Sequence, residues 1–561
     1  MIEEKITDLW YQYQKGLSFN QQRGIFADTD RNFRFYNEDQ WKGLESGGIE
    51  PVVFNIIKPI VKYKNGIINS NEFAINYSSE NFDEPNFQMD AEKICEKLNK
   101  YVAMVFEKEN MSNMIRKVSK RACINSEGIV YVSVDDNNNP KCEIINKNNV
   151  FYGNENDGNI QEQPYIIITS RKPLESVIEE AKLNNVSEEQ LNQIVADKNN
   201  YYEAGDEAKQ EVNDKVLVIT KLWKEKGTVW FSKATKTVEL VKATDTNLKL
   251  YPIAHFVWED VEGSARGQGE VKWIIANQIE INKTLMRIVL AVKMGAYPTK
   301  VVNIDKILNP SAIDKVGATI KVKDMNVDDL KKYIGYLQPA QLNSNSNTLL
   351  NDLISVTREL AGAGDVATGD INPEQASGRS ILAVQQASQM PLTEQSAGLK
   401  QFIEDLARIF FDIWQTYNTN GMNVYEEEEI KIQNVDGTIT SETIKKPYKI
   451  SKEILDKLRV SVKVDVTPKS PYDKLALEQS LENLLQNQFI TFKEYVKSLP
   501  FDATMPKPTL ERLIDDREKE QQKINQMEKE QINIQNKVNH YLNQNEEINQ
   551  MDLEAEKLMS M

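Results

Sequence analysis

Apolar residues at the start of the chain recur at helical spacing. Ile6, Leu9, Trp10, Tyr13 and Leu17 fall on one face and predict an N-terminal helix. A stretch rich in Asn, Asp and Arg follows and predicts a loop ending in RNFRFYNEDQWKG, residues 31–43. Residues 51–80 read as a helix and then a strand. Ile94, Leu98, Tyr101, Val102 and Val105 make the buried stripe of an amphipathic helix over 91–107. Alternation in 128–134 and 141–145, joined by DDNNNP, predicts a β-hairpin. Further strands are predicted at 165–169, 216–223, 229–231 and 237–241, with a helical insertion over 174–196 between the first two. The fold class to this point is α+β.

The pattern changes near residue 270. EVKWIIANQIEINKTLMRIVLAVKMG predicts one helix of roughly 40 Å. Its Ile274, Ile281, Leu285, Ile288 and Val292 keep one side apolar throughout, and Pro298 ends it. Residues 299–341 predict a compact module with strands at 300–303, 319–322 and 334–337 and a small helix at 327–332. A return helix over 348–361 makes the whole a helical hairpin carrying a small head. GAGDVATGDINPEQASGRS, residues 362–380, is too polar to bury and longer than connections in compact domains. Residues 381–417 predict a long helix kinked at Pro391. Strands return at 429–433, 438–444 and 459–467, and the chain is helical from 470 onward. Past 512, Glu, Gln, Asn and Lys dominate, and sparse apolar residues from Ile524 to Leu542 suggest a surface helix or weak coiled coil with frayed last turns.

Composition narrows the chemistry. A chain of 561 residues exceeds one ordinary core. Its 68 basic against 84 acidic residues give a net charge of −16, which argues against wrapping nucleic acid by bulk attraction to phosphates. Cys95, Cys123 and Cys142 lack metal-ligand spacing, and only His255 and His540 could join them, so no metal or cofactor is expected. Reduced thiols are the plain reading. His255 lies in the apolar run YPIAHFVW and reads as a packed core residue, and His540 as a solvated one. No GxxxxGK[ST] loop is present. Gly263, Gly267 and Gly269 could in principle cradle phosphate, but no Lys-Ser/Thr follows, and a flexible joint feeding the long helix is the stronger reading. The acidic runs at 135–136 and 426–429 carry no EF-hand pattern. No signal peptide or membrane span is expected, and the chain is not expected to be an enzyme.

FRFYNEDQW (33–41), FNIIKPIVKYKNG (54–66), the long helix with Gln278 and Asn282, and ASGRSILAVQQ (376–386) resemble segments of the portal proteins of tailed double-stranded DNA bacteriophages. FRFYNEDQW (33–41) is similar to an early aromatic-rich segment ending in Gln-Trp, and FNIIKPIVKYKNG (54–66) to an N-x-I-x-x-x-V helix and its turn. The long helix with Gln278 and Asn282 and its Gly-rich lead-in resembles the first stem helix. ASGRSILAVQQ (376–386) resembles the start of the helix after the tunnel loop. Their order and spacing span nearly the full chain.

The resemblance implies a portal-type fold: wing (1–268 and 380–469), stem helices (269–295 and 347–361), clip (296–346), tunnel loop (362–379) and crown with helical tail (470–561). It implies a ring, twelve copies in the usual case, at one capsid vertex. Double-stranded DNA would pass through it without sequence specificity. Terminase would dock on the clip first, and head-completion or adaptor proteins afterwards, with capsid or scaffold proteins as further partners. The location would be the virion, after assembly in the host cytoplasm. Asp365, Asp370, Asn372, Glu374 and Arg379 would face the channel; Ile274, Ile281, Leu285, Ile288 and Val292 would pack subunits together. Lys306, Lys315, Lys321, Lys323, Asp328 and Lys331 would offer the docking surface. Two rivals stand beside this reading. One is a metal-dependent nucleic-acid-processing enzyme using Asp365, Asp370 and Glu374, for which a Gly-rich loop is poor preorganisation. The other is a structural virion component without a channel.

Overall fold

A computed structural model describes residues 6–80, 85–135, 138–197, 214–297, 299–313, 315, 317–323, 333–337, 345–364, 390–433, 439–468, 480–499, 509–510, 512–514 and 517. The chain divides into two compact units, Met1–Thr467 and Pro468–Met561.

The first unit is α+β. It opens with α1 (Ile6–Gln22), α2 (Ile25–Tyr36), α3 (Ile57–Ile68), β1 (Asn71–Ser79), α4 (Pro85–Lys108) and α5 (Met111–Asn125). The strands β2 (Glu127–Val134), β3 (Pro140–Ile145), β4 (Val150–Tyr152) and β5 (Tyr165–Pro173) follow, then the helices α6 (Leu174–Leu183) and α7 (Glu188–Leu191). The strands β6 (Lys215–Glu225), β7 (Thr228–Ala234), β8 (Glu239–Asp245) and β9 (Ile253–Val257) lead into α8 (Glu270–Ala296). After β10 (Thr299–Val302) and β11 (Ile334–Leu337), α9 (Asn345–Leu360) returns. The unit closes with α10 (Thr393–Tyr417), β12 (Met422–Gln433), β13 (Ile439–Ile450), α11 (Lys452–Lys457) and β14 (Val460–Pro468).

Five antiparallel strands form one sheet in the order β4-β5-β6-β7-β8, and a second has the order β3-β2-β9. The predicted hairpin is β2–β3, with Val132 opposite Cys142. One core joins α3, α4, α5, β2, β9 and α10. Its centre is aromatic: Trp414 of α10 meets Tyr101 of α4 edge-on at 5.4 Å, and Phe402 lies 6.2 Å from Phe256. The Asp412 carboxylate accepts the Lys249 and Leu250 backbone N–H groups at 2.8 and 2.9 Å, fixing α10 to the chain before β9. In the second unit, Tyr495 and Val496 of α12 (Phe492–Ser498) and Leu499 just after it bury against Leu481, Leu485 and Ile490. A capping box of Thr491 and Glu494 starts that helix.

Several expectations change. The segment read as a loop before residue 43 is α2, whose buried face mixes Phe26 and Phe35 with Thr29 and Asn32. Thr29 is buried because its hydroxyl donates to Asn148 Oδ1 at 3.1 Å and to Ile25 O at 2.8 Å. Helix α5 stands between the predicted helix 91–107 and the hairpin, where no element is expected; its buried Ser119 meets Asn65 and Asn69 of the α3 region. Pro391 sits in a 3-10 turn, Met390–Leu392, that leads directly into α10; residues 381–389 of the expected kinked helix lie outside the described residues. The strand expected at 319–322 is reduced to one bridge, Ile307 to Val322. The helix expected at 327–332 lies outside the described residues.

Candidate functional site: the long helix and its anchorage

Helix α8 holds the expected stripe, and its two halves differ. Ile274 and Ile281 are buried in the chain's own core, at 4 % and 0 % exposure. They have no surface left for a neighbouring subunit, so the expectation that they pack subunits is corrected on that ground. Leu285 and Ile288 are half-buried, and Val292 is 64 % exposed. Helix α9 packs alongside, where Asn277 Nδ2 donates to the buried Thr357 hydroxyl at 3.1 Å. Trp273 on α8 and Val356 and Leu360 on α9 remain exposed.

The first half of α8 is locked by three polar devices. One is an amide network. Gln278 Oε1 accepts the Ile56 N–H at 3.0 Å, while its Nε2 donates to Phe54 O at 2.8 Å and to Asn282 Oδ1 at 3.0 Å. Asn282 Oδ1 also accepts the Phe54 N–H at 3.0 Å, and its Nδ2 donates to Gln40 Oε1 at 2.6 Å. Gln40 in turn donates to Phe35 O at 2.8 Å. All three amide side chains are buried. Segments 33–41, 54–66 and the long helix, singled out separately in the sequence, therefore meet in one network. The signal that could have predicted it is the i, i+4 pair Gln278 and Asn282 on an otherwise apolar face.

The second device is ionic. Lys64 Nζ of α3 and Glu270 of α8 pair at 2.7 Å, both nearly buried. The third lies under the lead-in. Arg266 donates to Glu127 Oε1 at 2.5 Å and to the Val150 and Lys147 carbonyls. His255 Nε2 lies 2.8 Å from Glu127 Oε2. Burial alone would raise the Glu127 pKa, but Arg266, His255 and Lys147 outweigh it and hold the carboxyl well below the usual range. Burial pulls Lys147 down to about 8 against the attraction of Glu127. His255 is thus a packed residue in an ion cluster.

The glycine lead-in is not a flexible joint. A Cβ on Gly267 would fall 2.4 Å from Glu259 O, and one on Gly269 2.6 Å from Ser126 N. These glycines let the backbone press against β9 and the end of α5.

Beyond Arg287, α8 emerges from the body and carries the small module. There β10 and β11 pair antiparallel, with Val301 opposite Gly335. Lys315, Lys321 and Lys323 are exposed and Lys306 half-buried; Asp328 and Lys331 lie outside the described residues. So do Asp365, Asp370, Asn372, Glu374 and Arg379. Gly362 and Pro391, on either side of residues 365–389, come together: a Cβ on Gly362 would lie 3.8 Å from Pro391 Cβ. The three cysteines are free thiols, and burial pushes Cys95 and Cys142 up to about 12. Among the described residues, no helix is long and apolar enough to cross a membrane, and no three His, Cys, Asp or Glu side chains gather as for a metal.

A long helix anchored at its base, a head module and a return helix are what the resemblance implied. The family model for Phage P22-like portal proteins matches residues 12–560, nearly the entire chain. The chain belongs to the P22-like portal protein family. No curated protein matches it. The portal family is one of structural capsid components and implies an oligomeric ring in the virion. In this portal, the anchored half of α8 belongs to the fold of one subunit.

Proposed function

We propose that this portal forms a ring of twelve at one capsid vertex, through whose channel DNA enters during packaging and leaves during ejection. On this reading the wing is 1–268 with 380–469, the stem 269–295 and 347–361, the clip 296–346, the tunnel loop 362–379 and the crown 470–561. Terminase docks on the clip while DNA is loaded, and head-completion proteins replace it. Assembly takes place in the host cytoplasm. The observation that carries the reading is the division of α8: its first half is bonded into one subunit, and its second half leaves Val292 and Met294 exposed beside α9.

The charge supports a conducting role. At −16 each, twelve copies carry −192, and a repulsive lining lets DNA slide where an attractive one would hold it through many phosphate contacts. The field reaches about 8–10 Å at ordinary salt. Native mass measurement of the purified protein tests the proposal. A closed ring near twelve subunits supports it; a monomer with metal-dependent nuclease activity overturns it.

A further inference from the structure

Helices α1, α2, α5 and α8 and strand β4 surround a cleft of about 310 Å³ at the root of the long helix, and the loop with Gly263, Gly267 and Gly269 forms one wall of it. Two buried amides in the lining lack partners. Asn20 of α1 is 3 % exposed, and Asn125, the last residue of α5, is 4 % exposed. Among the described residues, nothing bonds to Asn20 Nδ2 or to Asn125 Oδ1. A buried polar atom left unpaired is costly, so the subunit holds one donor and one acceptor here that its own fold does not use.

The rest of the lining suits an oxyanion. Gly24 and Gly269 begin α2 and α8 without a side-chain cap, which leaves first-turn N–H groups of both helices without a side-chain acceptor. Ile25 of α2 and Lys272 of α8 line the cleft, so both N-termini reach it. Lys272 is paired with Asp28 at 2.8 Å. Arg23 lies over the Phe19 ring at 5.6 Å, and no carboxylate among the described residues pairs with it. Lys147 Nζ donates to Asn125 O at 2.5 Å and to Ser126 Oγ at 3.1 Å, which leaves its third N–H unspent.

The acceptors narrow the ligand further. Glu155 and Glu262 also line the cleft, and no cation among the described residues pairs with either. Carboxylate and amide oxygens can only accept, so they disfavour an anion with no proton to give. Inorganic phosphate keeps a P–OH at neutral pH, and sulfate keeps none. We infer that the cleft binds inorganic phosphate, with Asn20 Nδ2 and Arg23 donating to its oxygens and Asn125 Oδ1 accepting its P–OH. Bound there, phosphate braces the start of α8 against α1, α2 and α5.

Equilibrium dialysis of the assembled full-length protein against labelled phosphate tests this. Unlabelled phosphate should displace the label, and sulfate at about ten times that concentration should not. Asn20→Leu removes an unpaired amide, so it should keep or raise the melting temperature in phosphate-free buffer while weakening phosphate binding about tenfold. Arg23→Ala, at an exposed position, should leave the fold intact and weaken binding by a similar factor. If no phosphate is retained, water satisfies the two amides and the inference falls. Equal displacement by sulfate removes the P–OH assignment and overturns it, as does binding that survives both substitutions. Displacement by a short DNA duplex, whose diesters carry no P–OH, would assign the cleft to nucleic-acid backbone instead.

Discussion

Asn282 Nδ2 donates to Gln40 Oε1 at 2.6 Å, a bond that ties the middle of the long helix to a residue 242 positions earlier. Both side chains are buried, so neither can turn to water if the other is lost. Asn282→Ala would strand Gln40 Oε1 and the Phe54 N–H together. It should cost about 1–3 kcal/mol, chiefly from the stranded buried oxygen of Gln40, read as a lowered urea midpoint of the dissociated subunit. An unchanged midpoint would mean that the network does not anchor the stem.

The two halves of α8 predict two different failures. Ile281→Asp places a charge in the core of a single subunit and should abolish folding, seen as lost near-ultraviolet circular dichroism. Val292→Asp should leave a folded subunit but shift assembly toward species smaller than the ring, read by native mass. Intact rings from Val292→Asp would remove the distal stem from the subunit interface.

The Glu127 cluster sets an acid limit. Its carboxyl titrates well below the usual range in the folded chain and near 4.3 when unfolded. The stability it confers is therefore present above about pH 4.3 and is lost as pH falls toward the folded value. Glu127→Gln leaves Arg266 facing a neutral group in the interior and should destabilise by about 3–5 kcal/mol at neutral pH, with a flatter acid limb in denaturation curves against pH.

Lys147 predicts the opposite limb. Its pKa falls to about 8 on folding from about 10.4 unfolded. Between those values the unfolded chain binds the extra proton, so stability should rise with pH across that window. Lys147→Met should remove the rise; a rise that survives the substitution has another source.

If residues 362–379 line the channel as proposed, changing Asp365, Asp370 and Glu374 to Lys should leave rings intact. DNA should then bind more tightly, with a steep salt dependence, and packaging should slow and recover as salt rises. Normal packaging at every salt concentration would take the loop out of the channel.

The sequence by itself determined the α+β class, the hairpin β2–β3, the long helix with its returning partner, and the family. Each depends on a local period or on short segments in order along the chain. The amphipathic spacing of 91–107 and the unbroken run of α8 needed no distant partner to be legible. Where polar residues occupy buried positions, that period is hidden. Thr29 and Asn32 made α2 look like a loop, and the Thr29 hydroxyl is satisfied by Asn148, far along the chain; α5, by contrast, keeps a legible apolar stripe of Met111, Met114, Ile115, Val118 and Ala122 around its buried Ser119. Only the tertiary structure decided which half of the α8 stripe is spent inside one subunit, since burial depends on what α2, α3 and α5 bring against it. It alone brought Gln40, Gln278 and Asn282 together, and Glu127 to Arg266 and His255. A side-chain hydrogen bond or ion pair across more than a hundred residues leaves no periodic trace. It exists because the fold excludes water from both partners at one point in space.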